Sequence, residues 1–172
     1  MLQELAAANP GLLEVLDRRK LADSEDFQLL LHETEGIPAE DSSTRVRSHQ
    51  VRLSFPRFYP AAPLEAYLAQ PVKHPNVDPR NGFVCLWTKH AGRETVVEAL
   101  RRLQEVIVWK RMNLDNDHLM QPAAVAWHAD IAQRRPTLFP LLYTPLKELR
   151  GFRLEKDRFQ PPGRPRKRLE PL

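Results

Sequence analysis

A thiol, a carboxamide and an imidazole stand close together in HPNVDPRNGFVCLW, residues 74–87. They belong to Cys85, Asn76 and His74, and Cys85 is the one cysteine of the 172-residue chain. A cysteine attacks an acyl carbon only where it is reachable and where its surroundings stabilise the thiolate or the oxyanion that follows attack. From Pro71 to Cys85 the chain interleaves Pro71, Pro75, Pro79 and Gly82 with Asn76, Asp78 and Asn81. That is a composition of tight turns, so Cys85 follows a stiff irregular loop of the kind that presents functional groups. Asn76 can donate from its amide to an oxyanion, or use both ends of the amide to lock the loop. His74 can act as a base or pin the turn through a backbone carbonyl, the second being the commoner role. Composition alone favours a packing role for Cys85 over a nucleophilic one.

Other chemistries find little support. One thiol and six scattered histidines supply no CxxC or HxxxH pair of the kind structural zinc uses, and a single cysteine closes no internal disulfide. No run of 18 apolar residues offers a membrane span, and the N-terminus has neither a basic start nor an unbroken apolar stretch, so the cytosol is the expected compartment. The formal charge of +4 sits mostly at the end, where Arg164, Arg166, Lys167 and Arg168 outweigh Glu170. The body of the chain is nearly balanced and shows no basic patch interleaved with aromatics, so no nucleic-acid partner is expected.

The elements that must position these groups can be read from periodicity. Leu12, Leu13 and Leu16, followed by Arg18, Arg19 and Lys20, predict a short amphipathic first helix over 11–20. Alternation of Phe27, Leu29 and Leu31, and then of Val51, Leu53 and Phe55, predicts two antiparallel strands. A third strand fits 64–69. Between the second and third, FPRFYPAAP (residues 55–63) holds three prolines and cannot be helix. After the cysteine, Val96, Val97, Leu100, Leu103, Val106 and Ile107 recur at spacings of three and four, the strongest helical signal in the chain, and Pro122 suits the first turn of another helix. The order indicates an α+β domain with helices packed on one face of an antiparallel sheet and the cysteine on an irregular loop after it. The expected organisation is a domain over 1–135, a proline-broken extension over 136–159 that packs back on it, and a basic, proline-rich disordered tail over 160–172.

FPRFYPAAP, then HPNV, then GFVCL, in that order and with 19 residues from Phe55 to His74, resemble the ubiquitin-conjugating enzymes. That family carries FPxxYPxxPP, an HPN turn and an N-G-x-[IV]-C-L stretch around its thioester cysteine. Downstream, MNLDNDHLMQPAAVAWHAD resembles the family's Asn- and Asp-containing loop and the helix after it, so the likeness spans roughly residues 5–135. The resemblance implies that Cys85 accepts the C-terminus of a ubiquitin-like protein as a thioester from an activating enzyme and passes it to an amine of a target protein. Asn76 would support the oxyanion or the loop. Asp117, with Asp115 competing for the assignment, would orient or deprotonate the incoming lysine. No cofactor is implied, since ATP is consumed by the activating enzyme.

The departures from the family pattern carry their own expectations. Nine positions separate Asn76 from Cys85, one more than the family commonly has, so a bulge near Pro79 is expected. Ala61 stands where a ligase-docking phenylalanine is usual, and the tryptophan-proline pair of the second ligase loop is missing. Both argue against an ordinary RING partner. Such losses resemble divergent bacterial members, which are commonly encoded with an activating enzyme, a ubiquitin-like protein and a deconjugating protease in antiphage operons. Arg18, Arg19 and Lys20 match where the family often binds its activating enzyme, although a solvated helix end has the same composition. Two other readings remain: a non-catalytic scaffold of the same fold that binds ubiquitin-like proteins, and an unrelated cysteine hydrolase. His90, His118 and His128 can supply a base for the latter, but no Gly-rich nucleophile turn accompanies them.

Overall fold

The computed structural model describes residues 1–147 apart from 90, 91 and 93. His90, residues 148–159 of the expected extension and the basic tail over 160–172 lie outside the described residues. The chain runs α1 (Leu2–Ala8), β1 (Leu13–Lys20), β2 (Ser24–Leu31), β3 (His49–Pro56), β4 (Glu65–Leu68), β5 (Phe83–Val84), α2 (Val96–Ile107), a one-turn 3-10 helix (Asn116–His118) and α3 (Pro122–Arg134). The strands form one antiparallel meander in sequence order. The alternation on β2 and β3 does what period-two patterning requires: Leu29, Leu31, Val51 and Leu53 are completely buried on one face, joined by Ala66 and Leu68 from β4 and Val84 from β5.

The helix α2 covers that face. Its N-terminus is a capping box, in which Thr95 Oγ1 accepts from the Glu98 N–H and the Thr95 N–H donates back to the Glu98 carboxylate. Val96, Ala99, Leu100, Leu103, Val106 and Ile107 are buried in the same cluster as the strands. Burying each of the larger side chains contributes about 1.5–3 kcal/mol before entropy is counted. The apolar spacing continues to Trp109, but the helix stops at Ile107 because Trp109 takes a left-handed φ of 63°. That indole stacks on His128 of α3 and touches Trp127 and Phe139, forming a second, smaller core with Ile37, Val108, Ala124 and Leu141.

The predicted first helix over 11–20 is wrong. The helix is Leu2–Ala8, and Gly11, at φ 73°, turns the chain into β1. Residues 13–20 pair with β2 from Leu13↔Leu31 to Lys20↔Glu25, and an irregularity between Val15 and Asp17 leaves Leu16 pointing outwards, half exposed. Leucines at helical spacing were overridden by a neighbouring strand with an unpaired edge. The expectation built on Arg18, Arg19 and Lys20 is corrected with it. They end a strand, where Arg18 bridges Glu25 across the ladder and Arg19 bridges Asp17, whereas α1 itself carries no cation.

Residues 141–147 run as an extended strap across the sheet end and α2. Thr144 N–H donates to Glu33 O, and buried Gln104 of α2 donates to Thr34 Oγ1 and Thr144 O while accepting from Leu146 N–H. Leu146 is completely buried in the main core. At the strap's end, the side chain of Asn9 accepts from Lys147 N–H at 2.6 Å and donates to Lys147 O.

Candidate active site

Cys85 follows β5 directly, so the sheet sets its position. Gly82 O accepts from Leu68 N–H, and Asp78 N–H donates to Phe83 O, which folds 78–82 into a tight turn closed by Val77 pairing with Val84. This turn spans most of the nine-position step from Asn76 to Cys85. Across its base, Cys85 N–H donates to Asn76 O at 2.9 Å, so the asparagine and the cysteine end up side by side.

Gly82 makes the turn possible. Its φ is 75°, and a Cβ there would lie 1.9 Å from Leu68 O. Gly82→Ala is therefore expected to cost about 2 kcal/mol, from left-handed strain plus displacement of β4. Urea unfolding should register it, and cysteine reactivity should change too because β5 carries Cys85.

His74 and Asn76 are both buried, the former completely. The His74 ring donates from Nε2 to Arg111 O and accepts at Nδ1 from Asn76 N–H, which fixes a single neutral tautomer. Burial holds its pKa down at about 3. The Asn76 amide is fully used: Nδ2 donates to Asn113 O at 2.6 Å and to His118 O at 2.9 Å, and Oδ1 accepts from Asn113 N–H at 2.7 Å. Of the two uses an asparagine has here, the geometry displays the loop-locking one, with both amide hydrogens engaged. Pro75 O adds bonds from Met120 and Gln121 N–H, and Gln121 Nε2 reaches Val72 O and Val77 O. The HPN turn thus clamps the whole 111–121 loop.

The clamped loop delivers one group that local reading had set aside. His118, the last residue of the 3-10 turn, places Nδ1 3.0 Å from Cys85 Sγ. The other acceptor near the thiol is Trp87 O, at 3.7 Å. Cys85 is half-buried, and burial pushes its thiol pKa up. Asp115 and Asp117 are exposed on the same loop, and the Asp117 carboxylate makes no hydrogen bond or ion pair among the described residues. His118 and Cys85 are 33 positions apart, and only the identity of the loop, aligned with the cysteine by the Asn76 amide, could have pointed to their contact. Among the described residues no cluster of His, Cys, Asp and Glu is arranged to hold a metal ion, and no helix is long and apolar enough to cross a membrane.

The sequence matches no protein-family model and no curated protein. Solved structures do match. A protein assigned as a ubiquitin conjugating enzyme in Plasmodium yoelii is similar with a TM-score of 0.50 at 16% identity, over 80% of this chain and 82% of that one. S. cerevisiae Ubc12 is similar with a TM-score of 0.50 at 13% identity, over 86% of this chain and 83% of that one. The fold is that of the ubiquitin-conjugating enzymes. In this ubiquitin-conjugating-like fold Cys85, just past β5, meets the HPN turn at Asn76 O and the loop after α2 at His118.

Proposed function

We propose that the chain is a ubiquitin-conjugating-like enzyme: Cys85 takes a ubiquitin-like protein from an activating enzyme as a thioester and transfers it to an amine of a target protein. The observation that carries this reading is a half-buried cysteine just past β5, in contact with a loop held by a buried HPN turn. Sγ attacks the incoming thioester carbonyl, and the activating enzyme's sulfur leaves. An amine then attacks the new thioester, and Sγ leaves in turn. Because a thioester already carries an activated acyl group, the protein has only to position the partners and handle charge and protons, so no cofactor enters. His74 and Asn76 act by positioning the loop, and Asp117, exposed on it, orients the incoming amine. A bacterial antiphage conjugation system is the setting we infer from the motif departures.

The test is incubation with the cognate activating enzyme, ATP and ubiquitin-like protein, followed by non-reducing electrophoresis. A thiol-sensitive adduct on the parent protein, replaced by a thiol-resistant oxyester on Cys85→Ser, is the expected result. Absence of any adduct while the activating enzyme is itself charged would remove the catalytic reading in favour of a scaffold.

A further inference from the structure

We propose that His118 is a catalytic residue, the proton acceptor for Cys85 and afterwards for the attacking amine. This rests on the reading above for its substrates, but not for its chemistry. Three observations carry it. The Nδ1 to Sγ distance of 3.0 Å is direct hydrogen-bond contact with the reacting atom. Secondly, His118 is placed from its backbone, through its carbonyl to the Asn76 amide, so the ring is free to work while its position is fixed. Finally, no described residue hydrogen-bonds its Nε2, and the residue is only half-buried, so Nε2 can keep its hydrogen towards solvent while Nδ1 is left as the acceptor that faces the thiol.

A base is needed here because burial keeps the thiol protonated, and a protonated thiol is a poor nucleophile. His74, the other imidazole beside Asn76, has both ring nitrogens committed to backbone groups. The remaining ionisable groups on the elements that meet at His118 are Arg111, Asp115 and Asp117 on its own loop, Asp78 and Arg80 on the turn before the cysteine, and Lys89 after it; Arg111 pairs with Glu105 and Arg80 with Asp78. None of their side chains makes a hydrogen bond or ion pair with its ring among the described residues, and Asp115 meets His118 through its backbone carbonyl alone, which accepts from His118 N–H.

The proton balance closes in both steps. On charging, the bond from Sγ to the carbonyl carbon forms as the Cys85 proton moves to Nδ1. The bond to the activating enzyme's sulfur then breaks, and that sulfur takes the proton. Once acylated, Sγ holds no hydrogen, which leaves Nδ1, 3.0 Å from it, able to accept a proton from the attacking amine. The amine nitrogen bonds to the carbonyl and gives its proton to Nδ1, and Cys85 leaves as a thiol carrying that proton. His118 ends each step unchanged.

Because Cys85 is the single cysteine, alkylation of the full chain by iodoacetamide reads this one thiol without any modifier present. His118→Asn keeps an acceptor near the position of Nδ1 but cannot take a proton, and His118→Ala removes the group. Both leave the backbone bond to Asn76 in place, and thermal melts check the fold. The expected result is alkylation at pH 7 about tenfold slower in both variants, with the rates converging at alkaline pH, once the thiol ionises unaided. Superimposed rate-against-pH profiles would overturn the proposal. So would thioester formation that His118→Asn leaves at full speed. If the parent takes up no ubiquitin-like protein while the alkylation difference holds, the proton-acceptor role stands and the conjugation reading alone falls.

Discussion

Acidification from pH 6.5 towards pH 3 is expected to remove on the order of 4 kcal/mol of folding stability through His74. The folded pKa of about 3 lies below the unfolded value of 6.5. Between those values the unfolded chain therefore binds one proton more than the folded one. The stabilisation is complete above pH 6.5 and is lost as the pH falls through that window. Protonation would force a donor onto Nδ1, which faces the Asn76 N–H, so the HPN turn would lose its internal bond and the 111–121 loop its anchor. Two other histidines are depressed in the same direction by burial, His49 beneath Thr34 O and His128 against Trp109. The measurement is thus a comparison of urea midpoints from pH 4 to 7 for the parent and His74→Asn. The variant keeps an acceptor for Asn76 N–H, loses the donor to Arg111 O, and should be less stable at pH 7 but much flatter with pH. Equal slopes would show that the buried ring is not the source.

Asn76→Ala is expected to cost about 3 kcal/mol and to slow transfer from Cys85 roughly tenfold to a hundredfold. Three hydrogen bonds vanish together, leaving Asn113 N–H, Asn113 O and His118 O to find water in a partly buried site. The discriminating feature is that stability and reactivity should fall together. An asparagine whose role was to donate to an oxyanion would leave melting and resting thiol reactivity unchanged and lower only the transfer rate. One that aligns His118 with Sγ should change all three, and thermal melts with alkylation rates separate the cases.

How much of this was legible depended on sequence distance. The α2 face, the β2–β3 alternation and the turn before Cys85 are local patterns, and each appears in the structure where its spacing put it. The edge strand β1 was misread because Leu12, Leu13 and Leu16 satisfy a helical spacing, and nothing inside 11–20 reports that β2 has a free edge. The two-residue β5 is too short to show any period, and exists because Gly82 lets the chain turn tightly against Leu68. His74 was readable as a backbone pin from its place before a proline. His118 was weighed as a base for a hydrolase without a visible partner. Its nearness to the thiol is a product of tertiary structure, created by the Asn76 amide bridging two segments 42 positions apart.

The bond between Asn9 and Lys147 has a kinetic consequence. It joins residues 138 positions apart, nearly the whole described chain. Were the intervening chain unfolded, closing a loop of that length would cost on the order of 4 kcal/mol of entropy beyond the length-independent constant, and a preformed sheet and helix between the two ends remove most of it. The meander and α2, by contrast, assemble from neighbours in sequence and can form early. Docking of the 141–147 strap both buries Leu146 and satisfies Gln104. A molecule with the strap undocked would uncover the Leu146 site and leave the Gln104 amide without its partners, so this segment governs how well the main core is sealed from solvent.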